Sequence, residues 1–352
     1  MSPLSRAAIE AGRRGLERKA HPWDVRAEHF FDESEEVRGL FARLIGAECD
    51  DVAIVPSVSY AMATVMANVS VAAGQKIVTL ADDFPSGILA CRALARRAEA
   101  RVVRVDRPDS EDWSAAILEA IDGDTALVVA PHTHWVCGTL IDLEAIGRRC
   151  RSVGAALILD TTQSTGALPL DLAAVDPDYL IATAYKWLMG PYSLGFLYVA
   201  PRRQQGRPLE EAWIVRRNAR DFRSLSRYEE EFDSGARRFD MGERANFALL
   251  PVAGAAIGQL LQWGVGNIAE TLGAMTGRIE ARLGERGVTG QKGRAPHFLS
   301  VRFPGGPPKG IEERLAAADV HVSIRGERMR ITPHLYNDQG DVERLFEVLW
   351  AK

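Results

Sequence analysis

Two apolar runs in the middle of the chain end on residues that can do chemistry. The run 155–159 ends on Asp160, and the run 179–182 leads within four residues to Lys186. Such runs predict buried parallel strands, and ligands of open α/β sheets bind at the carboxyl ends of those strands. Because apolar residues follow Lys186, we expect a desolvated amine with a lowered pKa, which favours Schiff-base chemistry. The pair suggests pyridoxal phosphate, since the acid can keep the pyridine nitrogen protonated and the lysine can hold the aldehyde.

Further polar residues accompany this pair: Gln163 follows Asp160, and Thr183 and Tyr185 precede Lys186. Taken singly, Asp160 would more often be a helix N-cap and Lys186 a solvated surface residue. The combined pattern D-x-x-Q followed by T-x-Y-K resembles the class V aminotransferase family of fold-type I pyridoxal-phosphate enzymes. That family includes cysteine desulfurases, kynureninase-like enzymes and isopenicillin-N-epimerase-like enzymes, and the resemblance extends from about residue 3 to the C-terminus.

The resemblance implies a set of cofactor contacts around this block. Lys186 would hold the cofactor as an aldimine, Asp160 would face the ring nitrogen, and Gln163, Thr183 and Tyr185 would make further contacts. Both Lys186 and Asp160 are therefore expected to be catalytic, with the released Lys186 amine as the base that takes the substrate Cα proton.

Two segments nearer the N-terminus match other parts of the family's cofactor site. Ser59 and Tyr60 best match a hydroxyl-rich turn that cradles the phosphate at a helix N-terminus, although a simple capped helix is the alternative. Phe84 matches the aromatic or histidine that stacks on the pyridine ring, although it could also plug a strand end. Cysteine desulfurases usually have histidine there, so Phe84 points away from them.

A turn with the sequence R-F-D-M-G-E-R resembles one that family members lend to the neighbouring subunit. The resemblance therefore implies a homodimer, with Gly242 at the cofactor of the partner subunit. Glu243 replaces the usual hydroxyl residue, so either Arg244 compensates its charge or only backbone N–H groups point inward.

Substrate recognition is expected from two arginines and a tryptophan. In the family, an arginine followed by a small hydroxyl residue and a Tyr-Asn pair binds the amino-acid α-carboxylate; Arg330 matches best and Arg325 second, although a solvated arginine surface is the alternative. Trp135 stands where many relatives have asparagine near the ring hydroxyl. An indole cannot accept a hydrogen bond, so Gln163 is expected to carry more of that contact and Trp135 to shape a substrate pocket.

Composition excludes several classes of function. The chain has 352 residues, 47% of them hydrophobic and 26% charged, with a formal net charge of −4, so nothing favours nucleic acid or an anionic membrane. Four cysteines without paired spacing suggest a reducing compartment, and we expect a cytoplasmic protein. His132, His134 and Cys137 lack a fourth ligand at useful spacing, so no metal site is expected. The segment from Gly264 resembles a dinucleotide fingerprint but follows a helical pattern, so we reject that use.

The elements predict an α/β fold of the fold-type I transferase class. A large domain at 35–250 should hold a mostly parallel seven-stranded sheet with the cofactor, and a small α+β domain should span 251–352. Residues 1–34 should form an N-terminal helix and arm that pack with the small domain, and residues 201–236 should be irregular. These predictions follow from alternating strand and helix patterns together with the resemblance.

The reaction expected first is transamination of an amino acid. Lyase and epimerase activities start from related chemistry and stay open. A cysteine desulfurase or selenocysteine-lyase-like enzyme is disfavoured, because the family's catalytic cysteine would lie between the two arginines and no cysteine follows Cys150. A non-catalytic relative is the alternative of another class, and the intact Asp160 and Lys186 argue against it.

Overall fold

The structure is a computed structural model that describes residues 1–351. It contains two β-sheets and the helices that cover them. The helices are α1 (Arg6–Ala20), α2 (Asp32–Ile45), α3 (Val58–Met66), α4 (Pro85–Ala98), α5 (Trp113–Ala120), α6 (Leu143–Val153), α7 (Leu172–Val175), α8 (Leu249–Trp263), α9 (Val265–Gly284), α10 (Ile311–Ala317) and α11 (Gln339–Trp350). The strands are β1 (Val52–Val55), β2 (Lys76–Leu80), β3 (Arg101–Val105), β4 (Thr125–Pro131), β5 (Ala156–Asp160), β6 (Tyr179–Thr183), β7 (Gly195–Val199), β8 (Thr289–Gly290), β9 (Leu299–Arg302), β10 (Ser323–Arg325) and β11 (Arg328–Ile331).

The large sheet has seven strands in the order β1-β7-β6-β5-β4-β2-β3. Only β7 runs antiparallel to its neighbours, and the other pairs are parallel. The predicted mostly parallel seven-stranded sheet is therefore confirmed. Parallel strands need crossover connections, and in this sheet the connections contain helices that pack against its faces.

The central strands are apolar because helices cover both faces of the sheet. In β5 the side chains of Leu157 and Leu159 enter one hydrophobic cluster, and those of Ala156 and Ile158 enter the cluster on the opposite face. Asp160 is the first residue of this strand that is not fully buried. The apolar run thus ends where the strand leaves the core.

Strand register brings the chemistry-bearing residues to one edge of the sheet. Asp160 pairs with Pro131 on β4 and with Ile181 on β6. The chain that leaves β6 carries Lys186 past this same edge. The expectation that an acid and a lysine meet at the carboxyl ends of two strands follows directly from this parallel register.

The C-terminal part of the chain forms a second sheet of four strands in the order β10-β11-β9-β8. Its apolar side chains pack with α10, α11 and the second half of α9 in a separate cluster. The apolar residues of α8 and the first part of α9 belong instead to the core of the large sheet. The division at residues 34 and 250 stays a prediction.

The first helix lies against α8. A Cβ atom on Gly15 would come within 2.2 Å of the Phe247 carbonyl oxygen, and one on Gly12 would come within 2.7 Å of Val252. The two glycines therefore let the backbones approach closely. No single helix among residues 1–351 is long and apolar enough to cross a membrane; α8 and α9 pass that test only together, with a bend of 76° between them.

One predicted helix differs from the structure. The sequence predicts a helix from residue 61 to about 73, whereas α3 begins at Val58 and ends at Met66. Its N-cap is Ser57, whose hydroxyl accepts a hydrogen bond from the Tyr60 amide. The early end has a local cause, because the Asn68 side chain donates to the Thr64 carbonyl oxygen at 2.7 Å and satisfies a group that would otherwise continue the helix.

Candidate active site

Lys186 lies in the turn that joins β6 to β7. This turn is closed by the Gly190 amide, which donates to the Ala184 carbonyl oxygen at 2.8 Å, and Met189 adopts a positive φ of 53°. Burial lowers the pKa of Lys186; the Asp160 carboxylate opposes this effect and the Arg330 guanidinium adds to it. The desolvated amine that the sequence predicts is thus present in the fold, because the turn folds the lysine back over the sheet edge.

Asp160 lies at the carboxyl end of β5. One of its carboxylate oxygens accepts a hydrogen bond from the Thr162 amide at 3.0 Å, which fixes the carboxylate at the edge of the sheet. Asp83 faces the same cleft from the end of β2, and its burial raises the pKa to about 6. Asp83 was not identified as a site residue from the sequence, where its only signal is its place directly before Phe84.

The cleft between these residues is narrow. The residues that line it are Val58, Asp83, Phe84, Pro131, Asp160, Thr162, Gln163, Tyr185 and Lys186. The structure therefore brings together five of the residues predicted from sequence: Lys186, Asp160, Gln163, Phe84 and Tyr185.

Aromatic rings surround the lysine amine. Lys186 Nζ lies 5.5 Å from the centre of the Phe84 ring and 5.8 Å from the centre of the Tyr185 ring. The Trp135 ring meets Phe84 edge-on at 5.8 Å, and its indole N–H donates to the Asp82 carbonyl oxygen at 2.5 Å. These contacts place Trp135 beside the cleft rather than on its floor.

Gln163 is held on two sides. The Trp187 indole N–H donates to the Gln163 side-chain oxygen at 3.4 Å, and His297 Nε2 donates to its backbone oxygen at 2.6 Å. Because an indole N–H is only a donor, it must meet the amide oxygen, which leaves the amide NH2 group for the cleft. Neither Trp187 nor His297 was identified as a site residue from the sequence.

Arg330 lies at the border of the cleft, on β11. Its Nη1 donates to the Trp135 carbonyl oxygen at 2.7 Å, and its Nε donates to the Ser323 hydroxyl at 2.9 Å. Its guanidinium carbon is 5.8 Å from the Trp135 ring centre and 5.6 Å from that of Phe298. Burial lowers the pKa of Arg330 to about 10, so the side chain stays charged at neutral pH.

Arg325 is placed differently. Its side chain is exposed, and its guanidinium donates to the Ile324 carbonyl oxygen next to it in the chain. The structure does not bring this arginine to the cleft. The order in which the two arginines were ranked from sequence stays a prediction.

The N-terminus of α3 reaches the cleft, where Val58 is one of the lining residues. Val58 was not predicted as a site residue from the sequence. The hydroxyl of Ser59 is exposed and lies 2.9 Å from the Ser57 hydroxyl, and the Tyr60 amide is already bonded to Ser57. The first-turn amides of Val58 and Ser59 are the ones that an α-helix leaves without intrahelical partners. Anion binding at this end would therefore use backbone N–H groups more than the predicted side chains.

Thr183 is buried at the end of β6. Its hydroxyl oxygen has no hydrogen-bond partner among residues 1–351, and its amide donates to the Thr162 hydroxyl at 3.4 Å. Buried hydroxyls are normally satisfied. The Tyr185 side chain is close enough to interact with the Thr183 hydroxyl, which opposes the rise that burial causes in the Tyr185 pKa.

The Gly242 turn does not line the cleft of its own chain. The Gly242 amide donates to the Glu210 carboxylate at 2.6 Å. Glu243 is exposed, whereas Arg244 is buried and bonded to the buried Asp240 carboxylate, which also binds Arg38. The suggestion that Arg244 compensates Glu243 is therefore wrong, because the Arg244 charge is already paired in the core.

His134 and Cys137 contact each other instead of converging on a common point. Cys137 Sγ lies 3.3 Å from His134 Nδ1, and His134 Nε2 donates to the Ala81 carbonyl oxygen at 3.2 Å. No group of three metal-ligating side chains is found among residues 1–351. Hydrogen bonding to His134 lowers the Cys137 pKa to about 7 against the opposing effect of burial.

Comparison with known proteins agrees with this geometry. The family model for aminotransferase class V matches residues 17–345. The chain belongs to the class V aminotransferase family. The family is pyridoxal-phosphate-dependent, and the cleft of this class V chain carries the lysine, the acid and the aromatic ring that such a cofactor requires.

Individual relatives span most of the chain. The protein named uncharacterized aminotransferase YcbU of Bacillus subtilis (strain 168) is 29% identical over 340 residues, which cover 91% of this chain and 84% of that protein. Isopenicillin N epimerase of Streptomyces clavuligerus is 24% identical over 332 residues, covering 90% and 83%. A solved complex of the cystine C–S lyase C-DES with cysteine persulfide superimposes with a TM-score of 0.85 at 20% identity, covering 98% and 94%. The last similarity shows the shared fold.

Proposed function

We propose that this class V chain is an aminotransferase that acts on an amino acid. One observation carries the proposal: the partly desolvated Lys186 amine shares a cleft with the Asp160 carboxylate and lies near the charged Arg330 guanidinium. In this arrangement Arg330 can meet the α-carboxylate of an amino acid, Lys186 can act at the carbon that carries its α-amino group, and Asp160 can bind the cofactor.

The cleft suits pyridoxal phosphate residue by residue. Lys186 would bind the aldehyde carbon, Asp160 the ring nitrogen, Phe84 the ring face, the Gln163 amide NH2 the ring hydroxyl, and the first-turn amides of α3 the phosphate. When bound, the cofactor supplies an electron sink for charge that develops at the substrate Cα. The Thr183 hydroxyl, which lies beside the Tyr185 side chain, would make one further contact.

Lys186 would also move the proton. Its lowered pKa raises the fraction of neutral amine at working pH, so Nζ can take the proton from the substrate Cα and return it to the cofactor side. The rings of Phe84 and Tyr185 lie beside this amine and contribute to its partial burial. The Asp160 carboxylate opposes this lowering of the Lys186 pKa, because a nearby negative charge favours the ammonium form.

Arg330 would orient the substrate. Its Nε and one Nη are bonded to Ser323 and Trp135, so the guanidinium plane is fixed. A fixed planar fork can meet both carboxylate oxygens at once, which a lysine cannot do. Orientation of the α-carboxylate then decides which Cα bond is activated.

The cysteines favour transfer over persulfide chemistry. Cys91, Cys137 and Cys150 are buried, and Cys49 is held near Glu35 and Arg237. Among residues 1–351, no thiol lines the Lys186 cleft. A desulfurase needs an accessible thiolate beside the substrate, so this observation supports an aminotransferase ahead of that alternative.

Product analysis tests the proposed reaction. The protein loaded with pyridoxal phosphate is incubated with a panel of amino acids and a 2-oxo acid acceptor. Transamination consumes one amino acid and one 2-oxo acid and forms one of each, with no release of ammonia. Release of ammonia, sulfide or an inverted amino acid without 2-oxo acid exchange would instead identify a lyase, desulfurase or epimerase.

A further inference from the structure

Two consecutive residues before β9 contact both sides of the candidate site. His297 is fully buried, and its Nε2 donates to the Gln163 backbone oxygen at 2.6 Å. The ring of the next residue, Phe298, lies 5.6 Å from the Arg330 guanidinium carbon. One short segment thus touches a cofactor-side residue and a substrate-side residue, although Gln163 and Arg330 lie far apart in sequence.

The segment is held firmly in this position. The Ala295 amide donates to the Gly138 carbonyl oxygen at 2.8 Å, and the Ser300 hydroxyl donates to the Val136 carbonyl oxygen at 3.2 Å. Gly138 has a φ of 75°, and a Cβ atom there would come within 2.5 Å of the Phe298 ring. The close approach of Phe298 therefore requires glycine at this turn.

The hydrogen bond fixes the His297 tautomer. Since a carbonyl oxygen only accepts, Nε2 must carry the proton and Nδ1 must be bare. Nδ1 is buried without a partner among residues 1–351, so the ring gives up one hydrogen bond to make the other. The ring also packs edge-on against the Trp187 indole at 4.5 Å, and that indole donates to the Gln163 side chain.

We propose that His297 and Phe298 are positioning residues, His297 for the Gln163 amide on the cofactor side and Phe298 for the Arg330 guanidinium on the substrate side. His297 fixes the Gln163 backbone directly and its side chain through Trp187, so the amide NH2 is turned into the cleft. Phe298 holds the guanidinium over its ring face by a cation–π contact. This inference rests on the proposed function, because it assigns a task toward pyridoxal phosphate and an amino-acid carboxylate.

The cofactor side is tested with His297→Leu and His297→Gln. Leucine keeps apolar volume and removes the donor, whereas the glutamine amide can put a donor near the position of Nε2. With pyridoxal phosphate as the probe, we expect His297→Leu to weaken cofactor binding about tenfold or more, as expected for an unsatisfied buried carbonyl. The pH midpoint of the visible absorption of the bound cofactor should rise, because a misplaced NH2 group stabilises the ionised ring oxygen less well. His297→Gln should restore both properties to within about threefold of wild type.

His334 provides a matched control. It is as buried as His297, its ring lies 5.7 Å from the Trp187 ring, and both of its ring nitrogens lack hydrogen-bond partners among residues 1–351. His334→Leu should therefore leave the absorption midpoint unchanged. Should His297→Leu fail to fold, Trp187→Phe, which removes the donor to the Gln163 side chain and keeps an aromatic ring, should shift the midpoint in the same direction.

The substrate side is tested with Phe298→Leu. Loss of the ring face should raise KM for the amino acid roughly tenfold, within the range of a desolvated cation–π contact, and leave the absorption midpoint unchanged. The proposal is overturned if His297→Leu behaves as wild type, if His297→Gln or His334→Leu behaves like His297→Leu, or if Phe298→Leu shifts the midpoint and spares KM. Wild-type protein that takes up no pyridoxal phosphate would instead overturn the proposed function itself.

Discussion

At the scale of single residues, the environment of Lys186 decides what the lysine can do. It is one of few lysines in an arginine-rich chain, and its turn places it under aromatic rings where burial lowers its pKa. An exposed lysine such as Lys309 lacks that environment. The same residue type therefore has different chemistry at the two positions.

We expect Lys186→Ala to abolish covalent retention of pyridoxal phosphate, since the alanine side chain has no amine. Borohydride reduction followed by peptide mass spectrometry should find the cofactor mass on Lys186 in the wild type and on no lysine in the variant. Lys309→Ala is the control and should keep the label at Lys186. A label on a different lysine in the wild type would refute the assignment.

For Arg330, we expect substitution by alanine to lower kcat/KM by about 10²-fold or more, because the guanidinium fork makes two charged hydrogen bonds of roughly 1.5–3 kcal/mol each to the carboxylate. Arg330→Lys should recover only part of this loss, since the ammonium has no planar fork. Cofactor absorbance should stay intact in both variants. Steady-state kinetics with the best amino acid from the panel provide the measurement.

Arg325→Ala serves as the matched control for Arg330, because this exposed side chain lies on the same hairpin. We expect its kcat/KM to stay within a few fold of wild type. The roles would have to be exchanged if Arg325→Ala removed activity and Arg330→Ala did not.

At the scale of elements, the turns after β5 and β6 control the site because they interlock. Gly166, in the turn after β5, has a φ of 100°, and a Cβ atom there would come within 2.5 Å of the Trp187 carbonyl oxygen. The two turns can meet only if one of them lacks a side chain at this position. The position of Lys186 thus depends on a glycine that carries no chemistry.

We predict that Gly166→Ala lowers the free energy of unfolding by about 2–4 kcal/mol, from strain at positive φ together with the clash against a fixed backbone. Cofactor affinity should fall with it, since Trp187 must move. Chemical denaturation and a cofactor titration measure the two effects.

Gly277→Ala is the control for this glycine. Gly277 lies inside α9 with nothing within 4 Å of the added Cβ atom. Alanine should stabilise that helix by about 0.5–1 kcal/mol. Equal destabilisation by both substitutions would contradict the role given to the Gly166 turn.

At the scale of the whole molecule, three buried histidines join the C-terminal part of the chain to the edge of the large sheet. Burial lowers the pKa of His132, His297 and His334 to about 4, from an ordinary 6.5. The unfolded chain therefore binds protons at a higher pH than the folded chain does. The stability that these neutral histidines confer is fully present above pH 6.5 and is lost as the pH falls toward 4.

We expect the free energy of unfolding to fall as the pH is lowered from 6.5 to 4, with up to about 1.4 kcal/mol per pH unit from each histidine. Asp83 contributes to the pH dependence with the opposite sign and offsets roughly one of the three histidines. Its pKa is raised to about 6 in the folded chain, so the folded chain binds this proton at a higher pH than the unfolded chain does. Urea denaturation at a series of pH values measures the slope. His334→Gln should reduce that slope, whereas a slope unaffected by the substitution would show that His334 is not buried in the neutral form.

Assembly belongs to the same scale, and we propose that this class V chain forms a homodimer. The Gly242 turn, which resembles one lent to the neighbouring subunit, does not line the cleft of its own chain. An apolar groove between α3 and α4, which includes the exposed side chain of Leu89, offers a surface that a second copy would cover. Light scattering at micromolar concentration should give twice the chain mass, and an active monomer would contradict the proposal.

The elements of the large sheet and the two residues at its edge could be predicted from the amino-acid sequence alone. A buried parallel strand is apolar along its whole length. The apolar runs that end on Asp160 and lead to Lys186 are therefore recognisable from short stretches of sequence. The same locality explains Gln163 and Tyr185, whereas Phe84 was assigned through the resemblance to the class V family. Each of them follows or adjoins a strand end, and the parallel register then brings the strand ends together.

The distant residues that complete the site depend on tertiary packing. Side-chain alternation places Arg325 and Arg330 on the same face of one hairpin. They differ because Arg330 contacts Trp135 and is anchored there, whereas Arg325 is exposed. His297 and Phe298 carry no local pattern at all, because their role comes from packing against residues far away in sequence. The ring face under Arg330 depends on the pairing of β9 with β11 inside the second sheet, and the hydrogen bond from His297 to Gln163 exists only once that sheet has packed on the first. Sequence periodicity encodes neither the pairing partner nor the packing.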